Sequence, residues 1–134
     1  MYDLDRVRAA RQELFGWLPE GFEVFYAFKA NPHPGLARAL RDGDGPACKA
    51  EISSTGELAA ALEAGFPGAD ILYTGPGKTP GELAEAIAAG VGAFSAESLS
   101  DLRHIGAAAL AQECTPTACC GSTAPRRAPR PASG

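Results

Sequence analysis

A single lysine, Lys29, closes the apolar run Val24-Phe25-Tyr26-Ala27-Phe28, and Ala30-Asn31-Pro32-His33-Pro34-Gly35 follows it at once. An aromatic, β-branched run reads as a strand, and the two prolines end it. The ammonium group is thereby delivered to a strand tip. In parallel α/β sheets the carboxyl ends of the strands are where loops gather around a ligand. Partial burial there lowers the proton affinity of an amine and makes it a nucleophile able to form a Schiff base with a carbonyl compound. The plainer reading is that Lys29 marks the point where a strand emerges into water.

Four other charged residues occupy comparable places. Glu51 lies near the end of the run "ACKAEIS", and Glu57 follows six residues later in "SSTGEL". Lys78 lies in the loop "TGPGK", and Glu97 closes "VGAFSAE". The plain alternatives are a helix-start carboxylate for Glu57, a loop charge for Lys78 and strand-end charges for Glu51 and Glu97. His33, held between two prolines, reads as a surface residue and not as an acid or base. Cys48 stands alone while Cys114, Cys119 and Cys120 crowd the end of the chain, without the paired C-x2-C spacing of a zinc site, so no metal is expected.

Regular alternation positions these residues. "DLDRVRAARQELF" carries apolar side chains at helical spacing and can be capped by Asp3 or Asp5. "GFEVFYAFK" then reads as a strand ending at Lys29, and "PGLARALRDG" as a helix stopped by Gly43-Asp44-Gly45-Pro46. Three more strand and helix pairs follow: "ACKAEIS" with "GELAAALEAGF", "DILYTG" with "TPGELAEAIAAG", and "VGAFSAE" with "SLSDLRHIGAAALA". Ser53, Ser54 or Thr55 can cap the first of those helices, with Glu57 in its first turn. Strands alternating with helices of about ten residues imply parallel pairing through crossovers, hence an α/β chain.

Composition bounds the rest. The chain has 134 residues, 46% hydrophobic, with a formal net charge of -4. It has no basic field for nucleic acid and no apolar run long enough to span a bilayer, and its start lacks a secretory apolar segment. The default address is the cytoplasm. From about residue 111, "AQECTPTACCGSTAPRRAPRPASG" has no Leu, Ile, Val, Phe or Met. Such a stretch buries too little apolar surface to offset its ordering entropy, so residues 111–134 are expected to be a disordered tail after a domain of residues 1–110.

"YAFKANPHPGLARAL" resembles the cofactor-lysine segment of the fold-type III pyridoxal 5′-phosphate enzymes, the family of the ornithine, arginine and diaminopimelate decarboxylases and of alanine racemase. "AEISSTGELAAALEAGF", "ILYTGPGKTPGELAEAIAAGV" and "AFSAESLSDLRHI" are similar to the next three units of the decarboxylases, in the same order. Racemases usually continue the lysine segment with Tyr-Gly-His-Gly; Asn31-Pro32-His33-Pro34-Gly35-Leu36 looks like the decarboxylase branch instead.

The resemblance implies the first half of a parallel (β/α)8 TIM-type barrel, about four βα units, with pyridoxal 5′-phosphate held by Lys29 as a Schiff base, Ala27 beside it, and Glu51 and Glu57 at cofactor-binding positions. It implies a small-molecule amino-acid substrate, diaminopimelate-like as a first expectation, and an active site completed across a homodimer. It places the remaining cofactor contacts beyond residue 134. The expected outcome is a truncated, inactive decarboxylase fragment whose reading frame shifts near residues 106–114; the alternative is a deliberate short product, a non-catalytic remnant or small cofactor-binding or interaction protein.

Overall fold

A computed structural model describes residues 3–120 of the chain. Asp3 opens α1 (Leu4–Trp17) by accepting the Asp5 and Arg6 N–H groups at 3.1 and 3.3 Å, which satisfies two of the donors that a helix start leaves unpaired. Four βα units and a fifth strand follow in order: β1 (Phe25–Ala27), α2 (Pro34–Arg41), β2 (Lys49–Ile52), α3 (Thr55–Glu63), β3 (Ile71–Tyr73), α4 (Pro80–Ala88), β4 (Ala93–Ala96), α5 (Leu99–Ala111) and β5 (Thr117–Cys120). All neighbouring strands pair in parallel, in the order β1-β2-β3-β4-β5. The chain is α/β with a parallel sheet, as the alternation predicts, and it is the partial barrel that the resemblance implies.

The two faces of the sheet differ. Ala50, Ile52, Ile71, Tyr73, Phe94 and Ala96 are buried against the helices. Their strand neighbours Ala27, Glu51, Leu72 and Ala93, in register across four strands, are only half-buried. That second face corresponds to the interior of a closed barrel. Ala37, Ala50, Ala61, Ala64 and Ala86 are wholly buried, so short side chains let helices lie close on the sheet. Larger gaps are filled by aromatic pairs: Phe28 meets Tyr26 and Phe66 edge-on at 5.3 and 5.7 Å, and Tyr73 stacks on Phe94 at 6.1 Å.

Where α1 passes α2, the buried Arg11 guanidinium donates to the carbonyls of Leu40 (2.6 Å), Asp44 (3.1 Å) and Pro46 (2.7 Å) and lies over the Phe15 ring. These contacts satisfy a charge removed from water and fasten the first helix to the loop before β2.

Two boundaries differ from the sequence expectation. β1 ends at Ala27, not Lys29, because the Ala30 N–H turns back to the Ala27 carbonyl at 3.1 Å and Phe28 is drawn into the core. The expected tail from residue 111 contains β5: the open edge of β4 offers backbone groups that Thr117–Cys120 can pair with whatever their side chains, and the Thr117 N–H reaches the Gly92 carbonyl at 2.9 Å. Residues 121–134 of that tail lie outside the described residues.

Candidate active site

The carboxyl ends of β1, β2, β3 and β4 bring Lys29, Glu51, the Thr74–Lys78 loop and Glu97 to one end of the sheet. Lys29 stands two residues beyond β1 in the Ala27–Ala30 turn. Phe28 anchors that turn from below: its side chain is wholly buried, and its N–H continues the ladder to the Glu51 carbonyl at 3.0 Å. The Tyr26 hydroxyl fastens the far side by donating to the Asn31 carbonyl at 2.7 Å. The Lys29 side chain itself is exposed and makes no hydrogen bond or ion pair with the described residues, so the partial burial expected for it is absent from this chain. The open second face of the sheet explains that exposure.

Ala27 and Glu51 are register partners on the open face. The Glu51 carboxylate accepts the Thr74 hydroxyl at 2.8 Å. Glu57 serves its own helix: the Ser54 side chain accepts the Glu57 N–H at 3.1 Å, and the Glu57 carboxylate accepts the Ser53 N–H at 2.7 Å. This is a capping arrangement, and it engages both carboxylate oxygens with Ser53. The same device recurs at the next two helices, with Thr79 and Glu82 at α4 and with Ser98, Asp101 and the Glu97 N–H at α5. His33 caps α2 by accepting the Gly35 N–H at 3.1 Å and is exposed, in line with its reading as a surface residue.

Sequence reasoning undervalued Lys78. It is only 6% exposed, and its ammonium donates to the carbonyls of Gly75 and, at 2.8 Å, of Ser95. Burial lowers its proton affinity, while Asp101 and Glu97 act the other way. It therefore ties the loop after β3 to the end of β4. Thr74 was missed altogether, because a lone threonine at a strand end carries no signal beyond β propensity.

A cleft of about 630 Å³ lies beside this end of the sheet, lined by Lys78, Glu97, Asp101 and His104 among others. A second, of about 340 Å³, lies at the opposite end among the strand starts, around Phe25, Lys49, Asp70 and Thr117. In a barrel that amino end serves stability. Neither cleft is lined by Lys29.

Residues 4–115 match the family model described as the pyridoxal-dependent decarboxylase, pyridoxal binding domain. The chain belongs to this family. It is 35% identical over 106 residues to an L-glutamyl-(BtrI acyl-carrier protein) decarboxylase of Niallia circulans, a match that covers 78% of this chain and 24% of that protein. It is likewise 35% identical over 108 residues to a diaminopimelate decarboxylase of Bacteroides thetaiotaomicron, covering 81% of this chain and 27% of the relative. Among solved structures, the AQ1208 protein of Aquifex aeolicus superimposes with a TM-score of 0.75 at 30% identity, over 86% of this chain and 28% of that one. The diaminopimelate decarboxylase of Helicobacter pylori complexed with L-lysine shares the fold with a TM-score of 0.76 at 24% identity, over 89% and 30%. The chain thus spans about a quarter of the length of the curated relatives it matches. The family's cofactor is pyridoxal phosphate.

The residues present could hold the anchoring part of that cofactor: Lys29 offers an exposed amine not engaged by other described residues, and Ala27 and Glu51 are register partners on the half-buried face of the sheet.

Proposed function

We propose that this chain is the cofactor-anchoring portion of a pyridoxal-phosphate-dependent amino-acid decarboxylase of the diaminopimelate or ornithine type, with Lys29 as the covalent anchor. The observation that carries this reading is the exposed Lys29 amine at the carboxyl end of β1, beside Ala27 and Glu51. When bound, the cofactor supplies an electron sink for the carbanion left when an α-carboxylate departs as carbon dioxide. Lys29 is the residue whose Nζ would hold the cofactor's carbonyl carbon, and its exposure at the strand end would leave that carbon open to exchange with a substrate amine. Ala27, with a single methyl group on the half-buried face, would leave space for the cofactor there. Glu51 would offer a carboxylate on the same face and so favour a cationic group held there. Glu57 acts one step back, by holding the Ser53 backbone in the loop after β2.

Taken alone, these 134 residues are proposed to capture the cofactor without turnover. Incubation with pyridoxal phosphate, reduction with borohydride and peptide mapping should give an adduct on Lys29 and none in Lys29→Arg. A panel of diamino acids should release no carbon dioxide. An unmodified Lys29 would overturn the anchor assignment and favour a non-catalytic interaction protein; carbon dioxide release would overturn the fragment's inactivity.

A further inference from the structure

Glu51 carries a long side chain on an open sheet face, where nothing but a specific contact would keep its carboxylate from exploring several rotamers. Among the described residues one such contact exists. Thr74, just past β3 and on the same face, donates its hydroxyl to Glu51 Oε1 at 2.8 Å, with the Ile52 carbonyl as an alternative acceptor at 3.2 Å. A hydroxyl has one proton, and the charged acceptor is the stronger partner.

Thr74 is itself held from both sides. Its N–H donates to the Ile52 carbonyl at 2.8 Å, which extends the β2–β3 ladder by one step. The next residue, Gly75, takes a φ of +94°, and its carbonyl accepts from the Lys78 ammonium. Because Lys78 also grips the Ser95 carbonyl at 2.8 Å, the turn that begins at Thr74 is pinned to β4 as well as to β2. An ammonium buried to this degree is costly unless its donors are used. Here they fix the backbone next to the one side chain that aims Glu51.

We propose that Thr74 is a positioning residue: its hydroxyl, set by the Lys78-pinned turn, orients the Glu51 carboxylate toward the Lys29 end of the sheet. The inference rests on the reading of Lys29 as the cofactor anchor, and its test separates the two. Thr74→Val removes the hydroxyl at nearly constant volume, and Thr74→Ser restores it. In the protein without cofactor, the carboxyl-carbon NMR resonance of Glu51 should move in Thr74→Val and return in Thr74→Ser, with urea unfolding used to confirm that both variants are folded.

In the second arm, pyridoxal phosphate is titrated and captured by borohydride. Thr74→Val should weaken capture about tenfold, the scale of one lost hydrogen bond to a charged group, and should add nothing in a Glu51→Gln background. An unmoved Glu51 resonance in folded Thr74→Val overturns the proposal. So does an equal weakening in the Glu51→Gln background, since Thr74 would then act by another route. If the resonance responds but the parent chain captures nothing at Lys29, the anchor reading fails and the Thr74–Glu51 coupling stands.

Discussion

Lys78 shows how one buried charge connects packing to solution behaviour. Its burial holds its proton affinity below the ordinary lysine value of 10.5, opposed by the nearby carboxylates of Asp101 and Glu97. The unfolded chain keeps that proton up to about 10.5 while the folded chain releases it earlier. Between those points the unfolded state binds more protons, so this group makes folding more favourable as pH rises. Cys48 and Tyr73 act in the opposite sense. Burial raises both above their ordinary values of 9.0 and 10.0, so the unfolded chain deprotonates first and stability falls as pH climbs through those values. Lys78→Met should therefore do two things. It should lower stability at neutral pH by about 1–3 kcal/mol, because the Gly75 and Ser95 carbonyls lose a donor. It should also steepen the alkaline loss, since the offset to Cys48 and Tyr73 is gone. Urea midpoints followed from neutrality to pH 10.5 check both effects; parallel slopes for parent and variant would mean that Lys78 titrates as it does in water.

Among the elements, the helix starts were the most legible in the sequence, because their chemistry is local. Ser54 with Glu57, Thr79 with Glu82 and Ser98 with Asp101 each repeat an acceptor followed three residues later by an acid; each cap side chain accepts the acid's N–H, and the acid reaches back to the cap's own N–H at α4 and to the N–H of the residue before the cap, Ser53 or Glu97, at α3 and α5. Ser54→Ala should cost about 1 kcal/mol of unfolding free energy, and Ser54→Asp should recover most of it. A cost near zero would show that tertiary packing alone holds the start of α3. The strand limits were less legible. Phe28 has strand-like chemistry and a ladder bond, yet the turn closed by Ala30 ends β1 before it. β5 has neither alternation nor large apolar residues, and it forms against an edge that no local pattern announces. Lys78 was misjudged for a related reason: the Ser95 carbonyl that buries it lies 17 residues further on. The family resemblance, by contrast, rested on four ordered segments, and their order survives in the sheet as neighbouring βα units.

At the scale of the whole molecule, the arrangement of strands leaves apolar surface that its own helices do not cover. On α5, Leu99, Leu102 and Leu110 are 63, 39 and 81% exposed, and their spacing of three and eight residues puts them along one side of the helix. At the other end of the described chain, Trp17 and Phe22 are 80 and 59% exposed. β1 and β5, the sheet's first and last described strands, each have one neighbour within the described residues. Exposed apolar stripes and open strand edges are the features that natural proteins cover or charge to stay apart. The expected result is concentration-dependent self-association, read as a rising sedimentation coefficient. A variant can separate the stripe from the edges. Leu99→Glu puts an acid at the positive start of α5, and Leu110→Lys puts a cation at its negative end, so both suit the helix dipole and neither removes a buried side chain. The double variant should keep or slightly raise the urea midpoint while its sedimentation coefficient stays constant at concentrations where the parent's climbs. If both climb equally, the strand edges drive association and the stripe does not; if neither climbs, the apolar stripe is tolerated in water and the association argument falls.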